Sequence, residues 1–448
     1  LTVQFAPSDP TAKVTGNAIV VLSQRPFPPN GAGLLNVYTE EVRCVPDAQM
    51  KAGQEISVEL GPGKQPRYAA VYFDENKNFM ATGLAEPGEY HSSKVIALDG
   101  RDARIRLDRL RPPRAIDRPA WLLEHTLVSQ RMLQAGFTVD QATQRFLVGL
   151  PPGYWTSQQR YPVIFVSHGF SGNRWAYLDR YKIWREEMKK RPAILVSLDS
   201  NGDYGHHLFL NSEANGPRMD VLTKEVVPLV DARYRTNLAR VVYGQSSGGW
   251  TAISLLRHAP EIFAGAAATG PDPLVLRDWW MGPNENLYLN PDGTPRMFAE
   301  VIDLSMRTLV DRELETRSYG QFAAFLSCFS PSSPESSPMP FLSPFDLDSG
   351  ALQAEVWKLW EDNDQSLWVR RHPELARSSF SDRLALFVGD KDEFGLYPTT
   401  VAFGQVLDEF KIPYRRRVIE GGGHTDYLDR PEFQRELYRT CLELARAR

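Results

Sequence analysis

The stretch Arg240-Val-Val-Tyr-Gly-Gln-Ser-Ser-Gly-Gly-Trp250 constrains the fold more than any other part of the chain. An apolar, β-branched run leads into Gly244-Gln245-Ser246-Ser247-Gly248. Ala252, Leu255, Leu256 and Ala259 then follow at the i, i+3, i+4, i+7 spacing of one buried helix face. A strand must therefore turn into a helix within a few residues, with Gly-x-Ser-x-Gly at the bend. Such a bend holds its serine in a strained backbone conformation, and a Cβ at either flanking glycine would collide with neighbouring chain. The helix N-terminus behind the bend turns free N–H groups and a positive dipole toward the serine. Ser247 is the other serine of the pair, but the residue two before it is Gln245, which leaves Ser246 at the bend.

The remainder of the chain divides in two around this unit. At 448 residues it exceeds one ordinary core, so two domains are expected. Over residues 1–117 short alternating runs (Asn17–Ser23, Tyr68–Phe73, Ala103–Leu107) are separated by turns such as Arg25-Pro-Phe-Pro-Pro and Gly61-Pro-Gly. This pattern predicts an N-terminal β-sandwich of Ig-like type, closed by the stiff linker Leu110-Arg-Pro-Pro-Arg. Over 118–448 strands alternate with helices: strands at Leu122–Met132, Gln144–Leu150, Tyr161–Ser167, Ala193–Leu198, Arg240–Tyr243, Ala264–Thr269, Leu384–Val388 and Tyr414–Ile419. Helices are expected at Trp175–Lys189, Asp220–Arg233, Pro398–Phe410 and Pro431–Ala447. The fold class is α/β, a mostly parallel sheet covered on both faces, with reactive loops beyond the carboxyl ends of its strands. A segment at about 272–378 breaks the alternation and holds Trp279, Trp280, Trp357, Trp360 and Trp368. A long insertion at that end of a sheet is expected to cap the pocket, the alternative being a packed helical decoration that keeps its aromatics in its own core.

A serine hydroxyl is a weak nucleophile at neutral pH and needs a base, and the base needs an orienting acid. Candidates follow Ser246 directly after later strands, in the order acid then histidine. His424 comes after the last strand, behind three glycines that let its loop approach the serine. Asp390 and Asp392 both follow the Leu384–Val388 strand, and either could be the acid. The N–H groups of Ser247 and of Phe170, in His168-Gly169-Phe170, are the expected oxyanion donors. His168, Trp175, His206, His207 and Gln245 are expected to border the substrate, with His168 and the His206–His207 pair also suited to bracing their loops. Adjacent histidines alone do not make a metal site, and no metal ligand set is assigned.

Together these pieces resemble the putative-esterase branch of the α/β-hydrolases, which includes esterase D (S-formylglutathione hydrolase), feruloyl, acetylxylan and enterochelin esterases and mycolyltransferases. The resemblance spans about Leu122 to the C-terminus. It rests on the ordered set Leu150-Pro-Pro-Gly-Tyr154, Tyr161-Pro-Val-Ile, His168-Gly169, Asn215-Gly-Pro, Glu225-Val-Val-Pro228, Tyr234-Arg-Thr236, Gly244-Gln-Ser-Ser-Gly248 and Gly423-His424. Two features depart from the commoner pattern: Gln245-Ser246-Ser247 stands where His-Ser-Met is frequent, and the insertion is unusually long. The resemblance implies an α/β-hydrolase fold and hydrolysis of a carboxylic ester through an acyl-enzyme, without metal or organic cofactor. It also favours Asp392 as the acid, in the register Gly389-x-x-Asp392, with Asp390 capping or bracing the turn.

The expected function is a serine carboxylesterase acting on a small-molecule or carbohydrate ester, with acylated or aromatic, feruloyl-type substrates in view. A serine peptidase or acyltransferase could use the same residues, and a catalytically silent scaffold on this fold would lack one of them. With a net charge of −4 and no basic tract nothing suggests a nucleic-acid partner, so none is expected, and no apolar run reaches membrane-spanning length. The chain opens at Leu1 without methionine, so a processed or trimmed form is expected; a removed secretory signal would explain it, as would a cloning boundary, and of the two export (secreted or periplasmic) is preferred. Cys44, Cys328 and Cys441 are too few and too scattered for a disulfide framework and are expected to be buried thiols.

Overall fold

In the computed structural model the apolar runs after residue 120 assemble into one eight-stranded sheet. Residues 1–26, 38, 40–60, 68–78, 80, 88–98, 103–112, 116–278, 285–299, 303–336 and 339–446 are described. The Gly61–Gly63 turn, Pro113 and Arg114 of the linker, and Trp279 and Trp280 lie outside them. The strands are β1 (Leu122–Val128), β2 (Thr143–Gly149), β3 (Tyr161–Ser167), β4 (Ile194–Leu198), β5 (Thr236–Gln245), β6 (Gly265–Thr269), β7 (Leu384–Gly389) and β8 (Arg415–Ile419). Their order across the sheet is 1-2-4-3-5-6-7-8. The pairs β1–β2 and β2–β4 are antiparallel, and every other neighbouring pair is parallel.

The inner strands β3, β4, β6 and β7 are buried almost throughout, as is the second half of β5, because both faces of the sheet are covered. Val163 and Phe165 of β3 join one core, together with Trp250, Ile253 and Leu256 of α2 (Ser247–His258). Ile164 and Val166 join the other, against Trp184 of α1 (Leu178–Met188) and Leu437 and Tyr438 of the C-terminal helix Pro431–Leu444. The last strand differs: Arg415, Arg416 and Arg417 are exposed, the charged edge that keeps a sheet from pairing further.

Two local expectations shift. The strand at Leu122 stops at Val128, because Ser129 accepts the Met132 N–H and caps a short helix, Gln130–Gln134. The helix expected at Asp220–Arg233 starts at Arg218 and widens to π-type turns at Leu222–Val226.

In the N-terminal region Lys13–Ser23 lies between Glu41–Lys51 and Tyr68–Asp74, all antiparallel. A second sheet has Thr2–Phe5 between Glu55–Ser57 and Arg104–Leu107. Val3, Phe5, Ile105 and Leu107 meet Val20, Leu22, Val71 and Phe73 between the two sheets. Ile19, Val21, Ala70 and Tyr72, on the opposite face, belong to the larger core with Met306, Leu309 and Val310 of α3 (Met306–Thr316), a helix of the insertion. That is why Asn17–Ser23 and Tyr68–Phe73 carry apolar residues at consecutive positions. The contact is also polar: buried Asn17 Nδ2 donates to the carbonyls of Thr316 and Arg317, at the end of α3, at 3.1 and 3.2 Å. Helix-terminal carbonyls lack intrahelical donors, and here another part of the chain supplies them. The Met80 N–H donates to Ser318 Oγ, and the Tyr319 N–H to the Lys77 carbonyl.

The three cysteines are free; Cys328 and Cys441 are buried and Cys44 is partly so. Among the described residues no helix is long and apolar enough to cross a membrane.

Candidate active site

Ser246 stands between β5 and α2 with φ 55° and ψ −124°, outside the regions L-residues favour. The flanking glycines are required by sterics. A methyl group on Gly244 would overlap the Gly248 carbonyl, and one on Gly248 would overlap the Ser167 carbonyl. As the first residue of α2, Ser247 has an N–H with no intrahelical acceptor.

The loop after β3 passes directly over the serine, since a methyl on Gly169 would lie 3.1 Å from Ser246 Cβ. The Gly169 N–H donates to Tyr177 Oη, whereas among the described residues nothing accepts from the Phe170 N–H. On the far side the loops after β7 and β8 meet. Asp392 Oδ2 and His424 Nδ1 are 2.7 Å apart, and the Asp392 side chain is wholly buried. Asp390 is half-buried and its Oδ1 accepts the Gly421 N–H, tying the two loops together. Glu393 Oε2 accepts the His424 main-chain N–H at 2.6 Å, and the Phe394 ring meets the imidazole edge to face. Burial of the imidazole opposes its protonation. The hydrogen bond and charge of Asp392, helped by Asp272 and Glu393, outweigh burial and hold His424 above its ordinary value.

Ser246 and His424 border one cavity of about 500 Å³. Its walls come from four parts of the chain: Phe170 and Tyr177 after β3, Phe298 and Leu309 from the insertion, Phe394 after β7, and Tyr38 from the N-terminal region. Asp272 and Glu393 border it too, and among the described residues no lysine or arginine does.

The remaining expected residues divide. Gln245 borders the cavity, and its Oε1 accepts from Arg180 at 2.7 Å. His168, Trp175, His206 and His207 do not border it. Ser200 joins two of these: its N–H and hydroxyl each lie 3.0 Å from His168 Nε2, and its hydroxyl 2.8 Å from His206 Nε2. His206 Nδ1 accepts the Leu208 N–H and His207 Nδ1 the Phe209 N–H. Burial, with His168 close by, drives His206 down to about 3; burial, with the Arg218 charge near, drives His207 well below its usual value. Both rings are neutral loop braces at physiological pH. Trp175 is half-buried beneath the Arg174 guanidinium. The described tryptophans of the insertion also avoid the cavity: Trp357 stacks on Trp360, whose Nε1 donates to Ser330 Oγ, and Trp368 packs on Phe380. The insertion instead offers Phe298, Ala299, Leu304, Leu309 and Gln321 to the cavity.

Sequence reasoning passed over Asp272. It is 1% exposed, and it accepts the Ser246 hydroxyl on Oδ1 at 3.0 Å and the Ser247 hydroxyl on Oδ2 at 2.6 Å. Its signal was position, an acid three residues past the carboxyl end of β6, on the edge where the other reactive loops lie.

Residues 141–425 match the model of the Esterase family, described as Putative esterase. No curated protein matches the chain. Among solved structures, a ferulic acid esterase is 16% identical with a TM-score of 0.45, covering 73% of this chain and 98% of its own. An S-formylglutathione hydrolase from Agrobacterium tumefaciens is 14% identical with a TM-score of 0.47 and the same two coverages, 73% and 98%. A ferulic acid esterase from the anaerobic fungus Anaeromyces mucronatus is 12% identical with a TM-score of 0.40, over 72% and 91%.

Proposed function

Since this chain belongs to the Putative esterase family and is thereby a serine carboxylic ester hydrolase, we propose that Ser246, His424 and Asp392 form its catalytic triad and that its substrates carry an aromatic, feruloyl-type acyl group on a carbohydrate or similar alcohol. In this reading Ser246 Oγ attacks the ester carbonyl and its proton passes to His424 Nε2. Asp392 holds the Nδ1–H tautomer and stabilises the imidazolium without taking the proton. The N–H groups of Ser247 and Phe170 receive the oxyanion, a contribution of roughly 3–4 kcal/mol per donor. The imidazolium then protonates the leaving alcohol, and water, activated by the same histidine, releases the acid.

The observation that carries the reading is one cavity bordered at once by a serine at a strained strand-to-helix bend and by a histidine bonded to a buried aspartate. The aromatic preference is supported by the rings of Phe170, Tyr177, Phe298 and Phe394 around that cavity, which among the described residues has no cationic side chain to hold an anionic acyl group. The proposed domains are 1–117 and 118–448, with the insertion at about 272–378 as a wall of the pocket.

Hydrolysis of p-nitrophenyl acetate, butyrate and octanoate beside methyl ferulate, for the unaltered chain and Ser246→Ala, tests this. Turnover that depends on Ser246 and favours methyl ferulate over octanoate is expected. A preference for octanoate would remove the aromatic assignment, and a fully active Ser246→Ala would remove the triad.

A further inference from the structure

The Ser246 hydroxyl makes its hydrogen bond to Asp272, not to His424. Three contacts bind Asp272 to the bend: Oδ1 accepts from Ser246, Oδ2 accepts from Ser247, and its main-chain N–H donates to the Ser246 carbonyl at 3.1 Å. The two side chains it holds belong to the proposed nucleophile and to the residue proposed as oxyanion donor. The imidazole is close by. A methyl on Gly270, two residues earlier, would lie 3.2 Å from both His424 Nδ1 and Asp392 Oδ2. A buried carboxylate kept only for the fold is ordinarily satisfied by arginine or by main-chain amides. The partners of this one are two hydroxyls at the reaction centre.

We propose that Asp272 is a positioning residue of the reaction centre: it holds the Ser246 hydroxyl in a resting orientation, releases it to His424 when substrate fills the cavity, and supports the imidazolium with its own charge. The proposal rests on the reading of Ser246 and His424 as nucleophile and base. The transfer is a rotation about the Ser246 Cα–Cβ bond. The O–H···Oδ1 bond breaks and an O–H···Nε2 bond forms. Oγ then bonds to the carbonyl carbon while its proton moves to Nε2 and the carbonyl π pair moves to oxygen. Ser247 keeps its bond to Oδ2 throughout, so the carboxylate is never without a donor.

The groups facing His424 are Asp392 and Glu393 from the loop after β7 and Asp272 from the loop after β6. Burial lifts the Asp272 carboxyl to about 6, against the pull of the Ser247 and Ser246 hydroxyls and the His424 charge. It is therefore ionised at neutral pH, and its charge adds to that of Asp392 in favouring the protonated imidazole. Without that charge His424 loses its proton at lower pH.

The test is the rate of Ser246 labelling by a fluorophosphonate from pH 5 to 9, a readout that needs no natural substrate. It is run on the unaltered chain, Asp272→Asn, Asp272→Ala and Ser246→Ala, with a thermal melt of each. Both Asp272 variants should label more slowly on the high-pH plateau, by roughly threefold to tenfold. Their acid limb should move to lower pH by about half a unit or more. A limb that stays in place, whatever the plateau does, overturns the proposal, and so does a faster plateau, which would make Asp272 a restraint only. If neither variant melts as a folded chain, the role is structural and the proposal also falls. No labelling of the unaltered chain, or labelling of Ser246→Ala, would instead sink the triad reading beneath it.

Discussion

The hydroxyl, imidazole and carboxylate proposed to do the chemistry are each set by immediate neighbours, so single substitutions should separate their roles. Ser246→Ala is expected to lower kcat by about 10⁴–10⁶ while leaving the melting temperature nearly unchanged, because Asp272 keeps Ser247 as a donor. Asp392→Asn should be far more damaging than Asp390→Asn, since the Asp392 side chain bonds His424 whereas the Asp390 side chain bonds the Gly421 main chain. Parallel kinetics on the two variants check this, and the reverse ranking would overturn the assignment of the acid. The pH dependence has a definite sign. The base works in its neutral form, and its surroundings raise its pKa, so kcat/KM should climb with pH through a midpoint above about 6.5. A profile flat from pH 5 to 8 would argue against a histidine base.

The turn from β5 into α2 tolerates very little change. Its glycines abut main-chain carbonyls, which cannot move aside as a side chain can. Gly244→Ala and Gly248→Ala should each cost more than about 4 kcal/mol or prevent folding. Gly421, at positive φ (66°) but with open space around it, should cost only about 1–2 kcal/mol as alanine. Denaturant melts of the three variants would measure the contrast. This element was legible in the sequence because its constraint is local: a β-branched run, two glycines and a 3.6-residue apolar period lie within twenty positions. The loops that carry His424 and Asp392 were legible for a similar reason, since each follows a strand readable on its own. The Ser246–Asp272 bond was not, because it depends on which hydroxyl of the bend turns toward which loop. The Ser200 network was equally hidden: the sequence left His206 and His207 either bordering the substrate or bracing their loop, and the fold buries both.

At the scale of the whole molecule, the N-terminal region does more than precede the catalytic one. Its larger sheet is buried on both faces, and Tyr38 reaches the cavity wall. Asn17 closes the end of α3, whose Leu309 also borders the cavity. Asn17→Ala should therefore destabilise the chain by about 1–3 kcal/mol, the cost of leaving buried carbonyls unpaired. It should also raise KM more than it lowers kcat, because it loosens a wall and not the reacting groups. Melting and steady-state kinetics on one preparation decide this, and an unchanged KM would mean that the wall is held by its apolar contacts alone.

The sequence by itself determined the succession of strands and helices, the bend at Ser246 and the family, because propensity, apolar period and glycine placement act over short stretches of chain. It also placed an acid and a histidine beyond the ends of β7 and β8. Only the tertiary structure decided that the described tryptophans of the insertion, Trp357, Trp360 and Trp368, pack away from the cavity, that the N-terminal region forms part of its wall, and that a second buried carboxylate holds the serine. Those outcomes depend on contacts between residues up to three hundred positions apart, such as Asn17 with Arg317, and on which polar groups find a partner once water is excluded. No local pattern encodes them.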